Sequence, residues 1–115
     1  MRPETLGLLT DMRDAAQHIA RATAGVTYEG FFNDQDKPQS VLFSFLIIGE
    51  AANRLRRVDA ATADRISAVP QIVGLRNSLI HGYRSINYET VWPTIWESLP
   101  VLRAEVDALL PEDDR

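Results

Sequence analysis

Cysteine is absent from the 115 residues. Disulfides, thiolate metal sites, iron–sulfur clusters and a cysteine nucleophile are thereby excluded. Histidine occurs only as His18 and His81, too few for a histidine-rich metal cage within one chain. Lysine occurs once, as Lys37; the other eleven cations are arginines. Long apolar runs are missing too. The longest, Val41 to Ile48, is far too short to span a bilayer, and Met1-Arg2-Pro3-Glu4 has no apolar signal core. A cytoplasmic protein with no membrane partner is expected. What is present is ordinary globular composition, 45% hydrophobic and 24% charged. That supports one domain over residues 1–115 with a single core.

The net charge of −4 argues against a polyanion-coating protein, and no DNA partner is expected. Its distribution is uneven. From Arg54 to Arg84 there are six arginines against Asp59 and Asp64. Arginine takes phosphate bidentately, which lysine does not. Read blandly, the same charges are solvated helix faces.

Breaker residues divide the chain into four helical stretches. The first, about Thr5 to Ala24, repeats Leu8, Leu9, Met12, Ala15, Ala16, Ile19 and Ala20 at three- and four-residue steps, and Gly25 closes it. A linker from Val26 to Gln39 carries Phe31 and Phe32, which tuck against the bundle. Lys37-Pro38 after Asp36 reads as the start of a second helix, Pro38 to Val58. Being apolar nearly all round until Ile48, it belongs at the centre. A third runs from near Thr62 toward His81, broken or kinked at Pro70, with Gly82 as its C-terminal cap. Asn87 caps the last helix, in which Pro93 is tolerated and Pro100 imposes a kink. The tail 111–115 frays. No stretch alternates like a strand. The fold expected is all-α, an antiparallel four-helix-type bundle with room for a short extra helix at Pro70.

The richest segment is Gly74-Leu75-Arg76-Asn77-Ser78-Leu79-Ile80-His81-Gly82-Tyr83. Arg76 and His81 stand about 140° and about 7.5 Å apart on an ideal helix, so their Cα atoms do not share a face. The arginine's length, or unwinding at Gly82, could still bring both to one phosphate. Such a pair suits metal-free RNA cleavage, in which the 2′-hydroxyl attacks the adjacent phosphate and the 5′-oxygen leaves. Histidine serves as acid or base; arginine holds the phosphate and its developing charge. One chain offers one suitable histidine, so a homodimer with a composite site is the economical arrangement. Alternatively, Arg76 pairs with a nearby acid and His81 merely caps the helix end.

Three stretches decide more than the pair does: Ile47-Ile48-Gly49-Glu50-Ala51-Ala52-Asn53-Arg54-Leu55, Val69 through Tyr83, and Asn87-Tyr88-Glu89-Thr90-Val91-Trp92 with Leu99-Pro100. Together they resemble the HepT-like family of the HEPN superfamily, the toxin halves of toxin–antitoxin pairs, along nearly the whole chain. The resemblance implies a helical bundle, a homodimer and an RNase site where two copies meet. The family's motif of arginine, four residues, histidine, one residue, tyrosine falls on Arg76, His81 and Tyr83. Asn77 fits the polar residue favoured after the arginine. The implied partner is a minimal nucleotidyltransferase (MntA-like) antitoxin that adds AMP from ATP to Tyr83. The added anion would compete with RNA for the same cations. In the residues alone, Tyr83 reads instead as a packing side chain beside Gly82.

Glu50 interrupts an apolar helix, where a charge is costly unless paired. It either orients Arg76 or His81, or pairs with Arg54 one turn on. Asn53 lies within about 60° of the same side and could join the site. Arg54, Arg57 and Arg84 are candidate RNA guides. His18 reads as an exposed residue without a role, and Trp92 and Trp96 as core or dimer interface. Gln71 departs from the family, where a tryptophan often follows the proline. No metal-ligand set is visible and no cofactor is expected. The competing function is a non-catalytic HEPN module binding a nucleotide or partner, or an antitoxin-like accessory of a toxic nucleotidyltransferase.

Overall fold

The computed structural model of the chain describes residues 1–82, 84 and 86–115. It contains α1 (Pro3–Thr23), α2 (Tyr28–Asn33), α3 (Lys37–Val58), α4 (Ala60–Ala63), α5 (Val69–His81) and α6 (Tyr88–Leu109), then a 3₁₀ turn at Glu112–Asp114. No strand occurs among the described residues. The fold is the expected all-α bundle.

Each helix starts and stops for local reasons. Pro3 opens α1, where its missing N–H costs nothing. At the other end the Thr23 hydroxyl donates back to the Ile19 carbonyl at 2.8 Å. Gly25 then reverses the chain at φ +69°, a left-handed conformation that favours glycine. The linker holds a short helix, α2, which periodicity misses because six residues show no period. Thr27 caps it, accepting from the Gly30 N–H at 3.0 Å. Phe31 is fully buried against Trp92 and Tyr88, whereas Phe32 stays half outside, in ring contact with Tyr28 and Tyr88.

At the start of α3, Asp36 holds the cap position without a side-chain bond. Asp34 does the capping instead. Its Oδ1 accepts from the N–H groups of Asp36 and Lys37 at 2.8 and 2.9 Å. The bond from Lys37, then that from Asp36, hold its carboxyl below the ordinary aspartate value.

Pro70 neither breaks nor kinks a helix. It lies in the first turn of α5, and the separate helix before it is α4. Gly82 is the C-cap of α5, as expected, but at φ 172°, extended backbone open to any residue. Asn87 caps α6 by accepting from the Glu89 N–H at 2.9 Å. α6 runs unbroken through Pro93 and Pro100. The tail forms the 3₁₀ turn, where Arg13 contacts the Asp114 carbonyl and Arg115 donates to that of Leu110 at 3.1 Å.

The four long helices close a ring, α1 on α3, α3 on α5, α5 on α6 and α6 on α1. Their apolar faces meet in one core that includes Leu9, Met12, Phe45, Ile48, Ile72 and Leu102. α3 is the central helix, as expected: it packs on α1, α2, α4 and α5, and on its outer side Phe43 remains 63% exposed. His18 is also not the exposed residue expected. It is half-buried, its Nε2 in hydrogen-bond contact with Ser40 Oγ across the α1–α3 seam.

One carboxylate ties three elements. Asp59 accepts from the Thr62 hydroxyl (2.8 Å), the Thr5 hydroxyl (2.9 Å) and the Thr62 N–H (3.2 Å). The Thr62 hydroxyl, then that of Thr5, hold its pKa below the ordinary aspartate value. A carboxyl lowered in the folded state stabilises fully above its unfolded pKa, about 3.9, and loses that contribution as pH falls through the folded value. The melting temperature should therefore fall below about pH 4. In Asp59→Asn, which has no proton to gain there, the fall should be shallower; equal slopes would discount Asp59.

Candidate active site

α3 and α5 approach closely at Gly49. A Cβ there would lie 2.5 Å from Arg76 Cβ and 2.8 Å from Arg76 Cγ, closer than such atoms ever stand. The missing side chain is thus the seat for the arginine's stem. The guanidinium then reaches the next α3 residue. Arg76 Nε donates to Glu50 Oε1 at 2.8 Å, and Nη2 lies 2.6 Å from the same oxygen. On the other side Nη1 donates to Asn77 Oδ1 at 2.9 Å. Because arginine cannot accept, this bond also fixes the Asn77 amide orientation.

A guanidinium carries five N–H donors. Glu50 engages two and Asn77 one. One remains on each terminal nitrogen, which is the fork that grips a phosphate bidentately. The alternatives for Glu50 resolve here: it pairs with Arg76, while Arg54 goes to Glu4 of α1 at 2.8 Å. Gly49 is the residue sequence reasoning passed over. Its signal was a glycine inside an apolar helix, directly before a lone carboxylate.

His81 is the last residue of α5, exposed, with no partner for its ring among the described residues. α5 is helical through His81, so the separation of about 140° from Arg76 persists within one chain. Asn53 does not join the cluster; its Oδ1 accepts from Arg56 at 3.5 Å. Arg57 and Arg84 are exposed and make no ion pair among the described residues. Tyr83 lies outside the described residues. Trp92 packs on Tyr28, Phe31 and Trp96, and Trp96 is half-exposed at the cluster's edge. Gln71 is exposed.

No group of three or more His, Asp or Glu among the described residues could hold a metal ion. No described helix is long and apolar enough to cross a membrane.

Residues 12–109 match the family model described as ribonuclease HepT-like. A candidate RNase of Caldanaerobacter subterraneus subsp. tengcongensis is 33% identical over 99 residues, covering 84% of this chain and 86% of that protein. A candidate RNase of Methanocaldococcus jannaschii is 32% identical over 101 residues, covering 86% and 90%. A Thermococcus cleftensis protein described as a ribonuclease HepT is 27% identical over 105 residues, covering 88% and 91%. No solved structure matches the chain.

Proposed function

Since the chain belongs to the ribonuclease HepT-like family, we propose that it is a metal-independent endoribonuclease, the toxin of a toxin–antitoxin pair acting in the cytoplasm. The observation that carries this reading is the Arg76 fork, held by Glu50 and Asn77 on the helix that ends in His81.

In the reaction, the RNA 2′-oxygen forms a bond to phosphorus and the bond from phosphorus to the 5′-oxygen breaks. A base removes the 2′-hydroxyl proton and an acid protonates the leaving oxygen. The Arg76 fork holds the non-bridging oxygens and stabilises their added charge. His81 takes one proton-transfer role. Its counterpart in a second copy takes the other, because one chain offers one suitable histidine. An apolar face favours such pairing. Phe43, Leu46, Leu79 and Ile86 line a cleft of about 320 Å³, with Ile80 exposed on the same helix as His81. Arg57 and Arg84, which pair with no acid among the described residues, suit guidance of RNA; Arg54 would first have to leave Glu4.

Tyr83 is the point of control in this reading. A nucleotidyltransferase antitoxin (MntA-like) transfers adenylyl from ATP to its phenolic oxygen and pyrophosphate leaves. The bulky anion then occupies the cations that RNA needs.

The test is cleavage of a mixed RNA pool by the purified chain in EDTA, with intact mass recorded before the assay and after incubation with the partner and ATP. Fragments ending in 2′,3′-cyclic phosphate are expected, along with loss of cutting once Tyr83 carries AMP. If the unmodified chain leaves every RNA intact, it is a binding or accessory module. Cutting that stops in EDTA overturns the metal-free route.

A further inference from the structure

A second feature adjoins the Arg76 cluster and is not used by the reaction above. Between α5 and the corner where α3 meets α4 lies a cleft of about 590 Å³, lined by Arg56, Asp64, Pro70, Val73, Gly74 and Asn77, among others. Asn77 belongs to both features. Its Oδ1 takes Arg76 Nη1, which leaves its amide N–H groups for whatever enters the cleft. Pro70, Gly74, Asn77 and His81 follow one another at four, three and four residues, so they form one stripe along α5. A strand that reaches His81 along this stripe runs into the cleft.

We propose that this cleft is a nucleotide subsite, holding one RNA residue beside the bond that is cut; the proposal rests on the ribonuclease reading. The lining chemistry matches a whole nucleotide better than a bare anion. Arg56 supplies a cation whose hydrogen-bond partner among the described residues, Asn53, is neutral. Asp64 supplies an acceptor, which the amino group of a base satisfies and a phosphate does not. Pro70 and Val73 supply apolar wall for the face of the base. The volume falls within the range of small-ligand sites.

Gly74 makes the proposal testable without harm to the fold. A Cβ added there meets nothing within 4 Å. Gly74→Leu therefore fills the cleft from a helical position that prefers leucine to glycine, and its melting temperature should not fall. Expected for Gly74→Leu are a KM for RNA raised about tenfold, an unchanged kcat, and loss of base preference at one position beside the cut. Arg56→Ala should raise KM about threefold and reduce the slope of log affinity against log salt by about 0.7, one single-strand phosphate contact. Arg56→Lys should restore the slope.

A folded Gly74→Leu that cuts the same positions with wild-type KM overturns the subsite. So does one that keeps RNA kinetics and loses only capture of the nucleotidyltransferase, because the cleft is then a protein-docking surface. Failure of the wild type to cut sinks the ribonuclease reading instead. Binding of a labelled 2′-O-methyl RNA then decides the cleft by itself: Gly74→Leu must weaken it, and equal binding, or none by the wild type, overturns the subsite as well.

Discussion

His81→Ala is expected to slow RNA cleavage by about 10²- to 10⁴-fold, the usual contribution of one positioned acid or base. The chain should otherwise be unchanged. His81 is exposed at the end of α5 and its ring has no partner among the described residues, so its loss should alter stability by less than about 0.5 kcal/mol. Arg76→Lys probes the other half of the reaction. Lysine keeps the charge but loses the fork that serves Glu50, Asn77 and a phosphate together. A loss of about 10²- to 10³-fold is expected, comparable to removing an oxyanion donor. The measurement is single-turnover cleavage of one defined RNA, with melting curves for each variant. A His81→Ala chain that cuts at the wild-type rate would remove His81 from the mechanism.

Gly49→Ala should be as damaging, with no chemistry removed. The new methyl would stand 2.5 Å from Arg76 Cβ, an atom fixed by the backbone of α5. The two helices must separate, at a cost of about 1–3 kcal/mol for an overfilled contact. Arg76 then moves relative to Glu50 and to the phosphate. A displacement near 1 Å can cost about 10²-fold in rate. Gly7→Ala is the control: a Cβ at Gly7, inside α1, meets nothing, so that variant should gain about 0.5–1 kcal/mol. If Gly49 acts through the Arg76–Glu50 pair, its effect and that of Glu50→Gln should be strongly non-additive in rate. Additive losses would make Gly49 a packing residue only. Unchanged melting and unchanged rate in Gly49→Ala would refute the seat altogether.

Most of the bundle was legible because helix periodicity is a local signal. Leu9, Met12, Ala16 and Ile19 recur as one face and are buried as one face. What stayed open or escaped depends on contacts far apart in the chain. Glu50 has Arg54 within one turn, yet it pairs with Arg76, 26 residues away, because Gly49 brings α5 within reach and Glu4 engages Arg54. Pro70 reads as a breaker when the start of α5 is unknown; once α4 ends at Ala63, it is a helix opener. His18 reads as exposed from its own helix, because Ser40 approaches from another. Of the candidate site, the residue types on α5 were legible from spacing and from family resemblance. That Arg76 keeps one free donor on each terminal nitrogen depends on Glu50 and Asn77 together, which spacing along one helix does not reveal.

α5 is built like a cantilever. Its buried side chains, Val69 and Ile72, sit in its first turn, while Leu75 and Leu79 farther along are only half covered. The end that bears His81 therefore has the weakest purchase on its own bundle. A second chain seated on Phe43 and Leu79 would brace that free end while completing the pair of histidines. Assembly and competence would then be one event governed by mass action. Dilution would silence such an enzyme without unfolding it, and each newly made chain would remain inert until it met another.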